Sequence, residues 1–146
     1  MRKLTLLLAM LCLPLYLLAQ VVTTTPTFIE QGYTGTITVT FDPNQGSKGM
    51  VGATACYAHM GLITADSKDN KDWKYVITAW CGKEDFAACT QVGDKWQLVI
   101  NDLYATYKCP TTEDVKGIVL VFNDGVSGGK EGKNADGTDI FIPVNK

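Results

Sequence analysis

The chain has 146 residues, 46% of them hydrophobic and 19% charged, with 13 Lys+Arg against 15 Asp+Glu. This length supports one domain with a single core. A net charge of −2 without a basic cluster argues against nucleic acid as a partner.

Met1-Arg2-Lys3 is a short basic start, followed by an apolar run over 6–18 that is too short to span a bilayer and by a small residue, Ala19. Residues 1–20 therefore read as a secretory signal peptide, and 21–146 as a single domain. The expected location is secreted, periplasmic or cell-surface, with no membrane association after cleavage. Loss of Arg2 and Lys3 lowers the 13 basic residues to 11 against 15 acidic, a net charge of −4. Four cysteines then remain: Cys56, Cys81, Cys89 and Cys109. An even number in an exported chain favours disulfides, and the paired Cys-x-x-Cys or Cys/His spacing of a zinc site is absent. Cys81 and Cys89 stand in one loop and predict a local bridge, which leaves Cys56 and Cys109 to pair by elimination. The four cysteines allow three pairings, and free buried thiols remain the alternative.

Residues 27–30 read as a short edge strand. Thr36-Ile-Thr-Val-Thr-Phe41 alternates apolar and polar, the pattern of a half-buried antiparallel strand. A turn-rich stretch, 42–49, ends it. Residues 56–64 form the next expected strand, with Gly61 marking a bulge or a close approach. Residues 65–72 are a polar turn, and 73–80 are expected to be a strand with two fairly apolar faces. Trp73, Tyr75, Ile77 and Ala79 lie on one of these and Lys74, Val76, Thr78 and Trp80 on the other. Residues 82–93 read as a cysteine-bearing loop, 95–100 as a strand placing Trp96, Leu98 and Ile100 together, and 101–107 as a short helical turn. The apolar run 117–122 reads as a central strand. Residues 139–144 close the chain, with Pro143 placing their end at a sheet edge. The intervening 123–138 is a long loop with five glycines.

Short strands separated by turn clusters, about seven in all, predict an all-β fold: an Ig-like antiparallel β-sandwich. The expected core is Ile37, Val39, Phe41, Ala58, Ile77, Trp96, Leu98, Ile100, Val119, Val121, Ile140 and Phe141.

Most chemistries find no support in the sequence. His59 is the only histidine, and no Gly-x-Ser-x-Gly elbow is present. Asp66, Asp69 and Asp72 lack the spacing of an EF-hand, and the glycine of 134–139 is misplaced for that motif. The glycines of the long loop are not followed by a helix, so they do not make a phosphate loop. The expectation is a protein that is not an enzyme and needs no metal or cofactor. Binding is left. Tyr57 and His59 share a strand face, and Trp73 opens the following segment. Their rings suit the C–H faces of sugars, with Lys74, Lys130 and Asn134 to meet hydroxyl groups. Packing of Trp73 over the sandwich end, with His59 a solvated strand residue, is the competing reading.

At these residues the chain resembles the small β-sandwich modules, many of them starch-binding, appended to secreted bacterial α-amylase-type enzymes. The resemblance rests on Thr38-Val-Thr-Phe-Asp42, Tyr57-Ala-His-Met-Gly61, Asp72-Trp-Lys-Tyr75, Phe122-Asn-Asp-Gly125, and Asn134 with Gly137-Thr-Asp-Ile-Phe141. It implies a non-catalytic module whose Tyr57, His59 and Trp73 contact α-glucan, as polysaccharide or oligosaccharide. Relatives often carry another tryptophan in the last long loop; residues 128–133 hold no aromatic here, which implies a weaker site. With no catalytic domain in the sequence, the expectation is a free-standing module or a truncated enzyme, acting beside a separate glycoside hydrolase. The alternative is a structural Ig-like spacer or protein-docking domain of an exported glycan-degrading system.

The signal-peptide reading makes a direct prediction. Mass spectrometry of the exported protein should find an N-terminus near Gln20 or Val21, and an intact Met1 end would refute it.

Overall fold

The computed structural model describes residues 20–146, so the expected signal peptide, save Gln20, lies outside the described residues. In chain order the strands are β1 (Val22–Thr25), β2 (Ile29–Glu30), β3 (Thr36–Phe41), β4 (Tyr57–Thr64), β5 (Thr90–Val92), β6 (Lys95–Asn101), β7 (Val115–Asn123), β8 (Glu131–Gly132) and β9 (Ile140–Asn145). A 3-10 turn, Asp85–Ala87, precedes β5, and a one-turn helix α1, Leu103–Tyr107, follows β6. Asp102 caps α1 by accepting from the amides of Tyr104 and Ala105.

Two sheets form. One has the order β1-β3-β6-β5, and the other β2-β9-β7-β4, with β8 paired to the end of β7. All pairings are antiparallel except β2 with β9, which is parallel. This is the strand order of an immunoglobulin-type sandwich, with the first strand divided between the two sheets. The all-β sandwich read from the alternation is therefore the fold observed.

The inward faces follow from strand alternation. Ile37, Val39 and Phe41 of β3 and Trp96, Leu98 and Ile100 of β6 meet Ala58, Met60 and Leu62 of β4 and Ile118, Leu120 and Phe122 of β7. Phe41 and Phe122 stack across the gap, ring centroids 4.1 Å apart at 15°. In antibody domains the same two strands are joined by a disulfide; here a ring pair occupies the junction.

Several sequence expectations need correction. Residues 73–80 are not a strand: only Lys74 forms a bridge with β4, opposite Leu62, beyond which the Ile77 amide makes one long bond to the Met60 carbonyl, and Tyr75 has a positive φ of 48° that breaks the extended run. The expected loop 82–93 contains β5, and the long loop 123–138 contains β8. Val119, Val121 and Phe141 lie on the outer face of the second sheet, because the inward positions are Ile118, Leu120 and Phe122 on β7 and Ile140, Ile142 and Val144 on β9. Both valines are nevertheless buried, beneath cover on that outer face. Ile77 is only partly buried against the core. Pro143 is not at a terminal edge, since β2 pairs with Val144 and Asn145 just beyond it.

The expected Cys81–Cys89 and Cys56–Cys109 bridges are absent, and all four cysteines are free thiols. The reason is geometric. Cys81 turns outward, its Sγ 3.4 Å from the carbonyl of Val126. Cys89 packs inward near Cys56, through the antiparallel bridge between Tyr57 and Ala88.

Phe122→Ala should cost roughly 3–5 kcal/mol, because it removes one partner of the inter-sheet stack and leaves a cavity. Urea unfolding of the variant measures the loss; a change under about 1 kcal/mol would show that the stack carries little of the core.

Candidate functional site

The outer face of the second sheet is where His59, Trp73 and Trp80 gather. On β4 the outward positions are Tyr57, His59 and Gly61, alternating with the inward Ala58, Met60 and Leu62. Register sets Gly61 opposite Val119, and Val119 opposite Phe141, in one row; His59 lies opposite Val121 in the next. The free edge of β4 is closed by the segment after the polar turn. The amide and carbonyl of Leu62 each bond Lys74, both at 2.7 Å. Further along, the Met60 amide donates not to a backbone carbonyl but to the hydroxyl of Thr78, at 3.0 Å.

Gly61 permits this approach. A Cβ there would stand 3.0 Å from the Lys74 carbonyl oxygen and 3.2 Å from Trp73 Cε3, tighter than ordinary packing. Trp73 thus lies over the glycine and stacks on His59, centroids 5.3 Å apart at 28°. Trp80 meets the same imidazole edge-on, at 5.3 Å and 89°. Trp73 is half-buried, whereas Trp80 is 46% exposed.

Thr78 Oγ1 also lies 3.0 Å from His59 Nδ1. A hydroxyl has one donor and two acceptor sites, so it can serve the Met60 amide and the ring together. Burial holds the His59 pKa below its ordinary value, against the smaller opposing influences of the Ala79 backbone, Asp139 and Glu84. At neutral pH the ring is uncharged, with one N–H donor and one bare nitrogen. Glu84 is committed to the local turn, its Oε1 accepting from the Ala79 amide at 3.0 Å.

Over Val119 and Phe141, on the same sheet face, runs a groove of about 680 Å³ that the rings of Tyr57, His59, Trp73 and Trp80 do not line. Val119 and Phe141 line it together with Asn70 and Lys71, and with Asn134, Asp136, Thr138 and Asp139 from the loop before β9. Such a face offers aromatic and aliphatic surface beside hydroxyl, amide and carboxylate groups, a combination suited to a polyhydroxylated ligand.

The six residues named from the sequence do not all converge. His59 and Trp73 do. Tyr57 shares their face but packs at its far end, where a Cβ on Gly125 would stand 2.9 Å from its ring. Asn134 borders the groove, but its side-chain amide donates inside its own loop, to Thr138 Oγ1 and to the Asp139 carbonyl. Lys74 pairs with Asp72 at 3.0 Å and lines, together with Trp73, Thr64, Asp66, Tyr75 and Glu113, a depression distinct from the groove. Lys130 is an exposed loop residue whose carbonyl accepts from the Asp124 amide. Trp80 and Thr78 were missed, because strict alternation from Trp73 sets even-numbered residues on the opposite face. The positive φ of Tyr75 cancels that parity. The aromatic composition around His59 was the one available signal.

No protein-family model matches the chain, and no curated protein matches it. Among the described residues, no group of three or more His, Cys, Asp or Glu is placed to hold a metal ion, and no helix is long and apolar enough to cross a membrane.

The His59 environment predicts a pH dependence. Its folded pKa is lowered, so as pH falls the unfolded chain takes up the proton first, below about 6.5. The stability it contributes is complete above that value and is lost as pH falls through the lower folded one. Urea midpoints at about pH 7.5 and about pH 5.5 should therefore differ more for the unaltered protein than for His59→Gln. Equal losses would assign the effect to other groups.

Proposed function

We propose that this chain is an exported, non-catalytic carbohydrate-binding module for starch-like α-glucans. The observation that carries the reading is the ring cluster on the outer sheet face, where Trp73 and Trp80 flank a neutral His59 and Trp80 keeps 46% of its surface exposed. Exposed indole gives sugar C–H faces a stacking surface, and the groove over Val119 and Phe141 on the same sheet face adds hydroxyl and carboxylate partners for sugar hydroxyls. The ligand class comes from the sequence resemblance, on Tyr57, His59 and Trp73.

The cluster also bears on how strong such a site is. Residues 128–133 supply no aromatic, but Trp80 stands on the same imidazole as Trp73 and adds a second indole. Tyr57 at the far end of the face extends the contact line. Asp136 and Asp139 give the groove an acidic side, which meets sugar hydroxyls as acceptors and disfavours anionic glycans.

The other reading is an Ig-like spacer that docks a separate glycoside hydrolase. The internal use of the Asn134 amide and of the Lys74 ammonium favours it, since neither donor is then offered to a sugar.

Retention on amylose distinguishes the two. The unaltered protein should be retarded in an amylose affinity gel, Trp73→Ala should abolish the retardation, and Trp80→Ala should weaken binding roughly 3- to 10-fold, the value of one aromatic stack. Both variants should unfold thermally close to the unaltered protein. No retention of that protein on starch, amylose or maltooligosaccharides would leave the spacer reading in place of the glucan one, and unfolding of Trp73→Ala would make Trp73 a core residue.

A further inference from the structure

We propose that Cys56 and Cys89 are a cross-strand pair that closes to a disulfide under a disulfide oxidant, tying the entry of β4 to the segment leading into β5. The inference is independent of the glucan reading. Tyr57 and Ala88 form an antiparallel bridge, so the residues one step outward, Cys56 and Cys89, stand opposite each other. The Cys89 amide donates to the Cys56 carbonyl at 2.8 Å. Directly opposed residues of a hydrogen-bonded antiparallel pair have Cα atoms about 5.5 Å apart. A disulfide spans Cα separations of roughly 4.4–6.8 Å, a range that includes this spacing.

Both side chains also point the same way. Cys56 belongs to the buried core cluster and Cys89 packs against it, while Tyr57 between strand and bridge faces outward. The neighbouring Cys89 thiol, with burial, raises the Cys56 pKa far above the ordinary thiol range. Cys89 is the half-exposed member and the one a reagent reaches first. Cys81 and Cys109 are engaged elsewhere, against the carbonyls of Val126 and Pro110.

The chemistry is thiol–disulfide exchange. The Cys89 thiolate attacks one sulfur of a small disulfide such as oxidised glutathione, expelling one thiolate and forming a mixed disulfide. Cys56, once deprotonated, attacks the Cys89 sulfur and expels the second thiolate. The two protein thiols are oxidised, the reagent's disulfide is reduced to two thiols, and the protons pass to the leaving thiolates. The raised Cys56 pKa makes the second step the slow one. The closed loop runs from 56 to 89 and contains Trp73, Thr78 and Trp80, so the bond would anchor both ends of the segment that builds the aromatic cluster.

The folded protein is incubated with oxidised glutathione, alkylated without reduction, and digested for peptide mapping. The expected result is a Cys56–Cys89 linked peptide with Cys81 and Cys109 alkylated, and a thermal midpoint raised on the order of 10 °C that dithiothreitol reverses. Cys81→Ser should retain the linked peptide and the shift, and Cys89→Ser should lose both. A Cys81–Cys89 link, four alkylated thiols, or a glutathione adduct on Cys89 that never resolves would each overturn the proposal, and each is read on the unaltered protein whether or not a variant folds.

Discussion

The free edge of β4 is the constraint on which the outer face depends. A strand edge exposes unpaired amides and carbonyls, and burying them unpaired is costly. Here the edge is satisfied by a segment that is not itself a strand. Lys74 makes a two-way backbone pair with Leu62, and the Thr78 hydroxyl takes the Met60 amide. Gly61 allows the segment to lie close, since even one methyl group there would press on the Lys74 carbonyl and the Trp73 ring. The bonding that caps the sheet is therefore the same bonding that carries both indoles to His59.

That arrangement explains why β7 is apolar along almost its whole length. Ile118, Leu120 and Phe122 serve the sandwich core, while Val119 and Val121 are buried on the opposite side. A strand covered on both faces reads as a continuous hydrophobic run rather than an alternation. The sandwich core and the aromatic face are thus two sides of one strand, and its register with β4 and β9 sets the row Gly61, Val119 and Phe141.

Charge plays a smaller part. The ion pairs near the site, such as Lys74 with Asp72 and Lys133 with Glu131, are solvent-accessible and contribute little by themselves. Their effect is to occupy donors. His59 behaves differently, because indole cover and sheet burial keep it neutral despite Asp139 and Glu84 nearby. A neutral ring between two indoles presents a flat, weakly polar surface instead of a solvated cation.

How much of this was legible in the sequence follows from the range of the forces involved. Alternation is local, so the strands expected over 36–41, 56–64 and 95–100, the all-β sandwich and the shared face of Tyr57 and His59 could be read directly. The helical turn expected over 101–107 is observed as Leu103–Tyr107. Local pattern failed where a single backbone angle changed parity. The positive φ at Tyr75 turns an expected strand into an irregular cover and brings Trp80 to the side of Trp73. It failed again for the cysteines, because spacing suggested Cys81 for Cys89 whereas the Tyr57–Ala88 bridge sets Cys56 opposite it. By itself the sequence determined the main strands over 36–41, 56–64, 95–100 and 117–122 and, where apolar and polar residues alternate, which side faces the core, since both depend on neighbours two residues away. The tertiary structure alone decided which outer face is covered, which rings meet on His59 and which thiols are adjacent, because those depend on register between segments far apart in the chain.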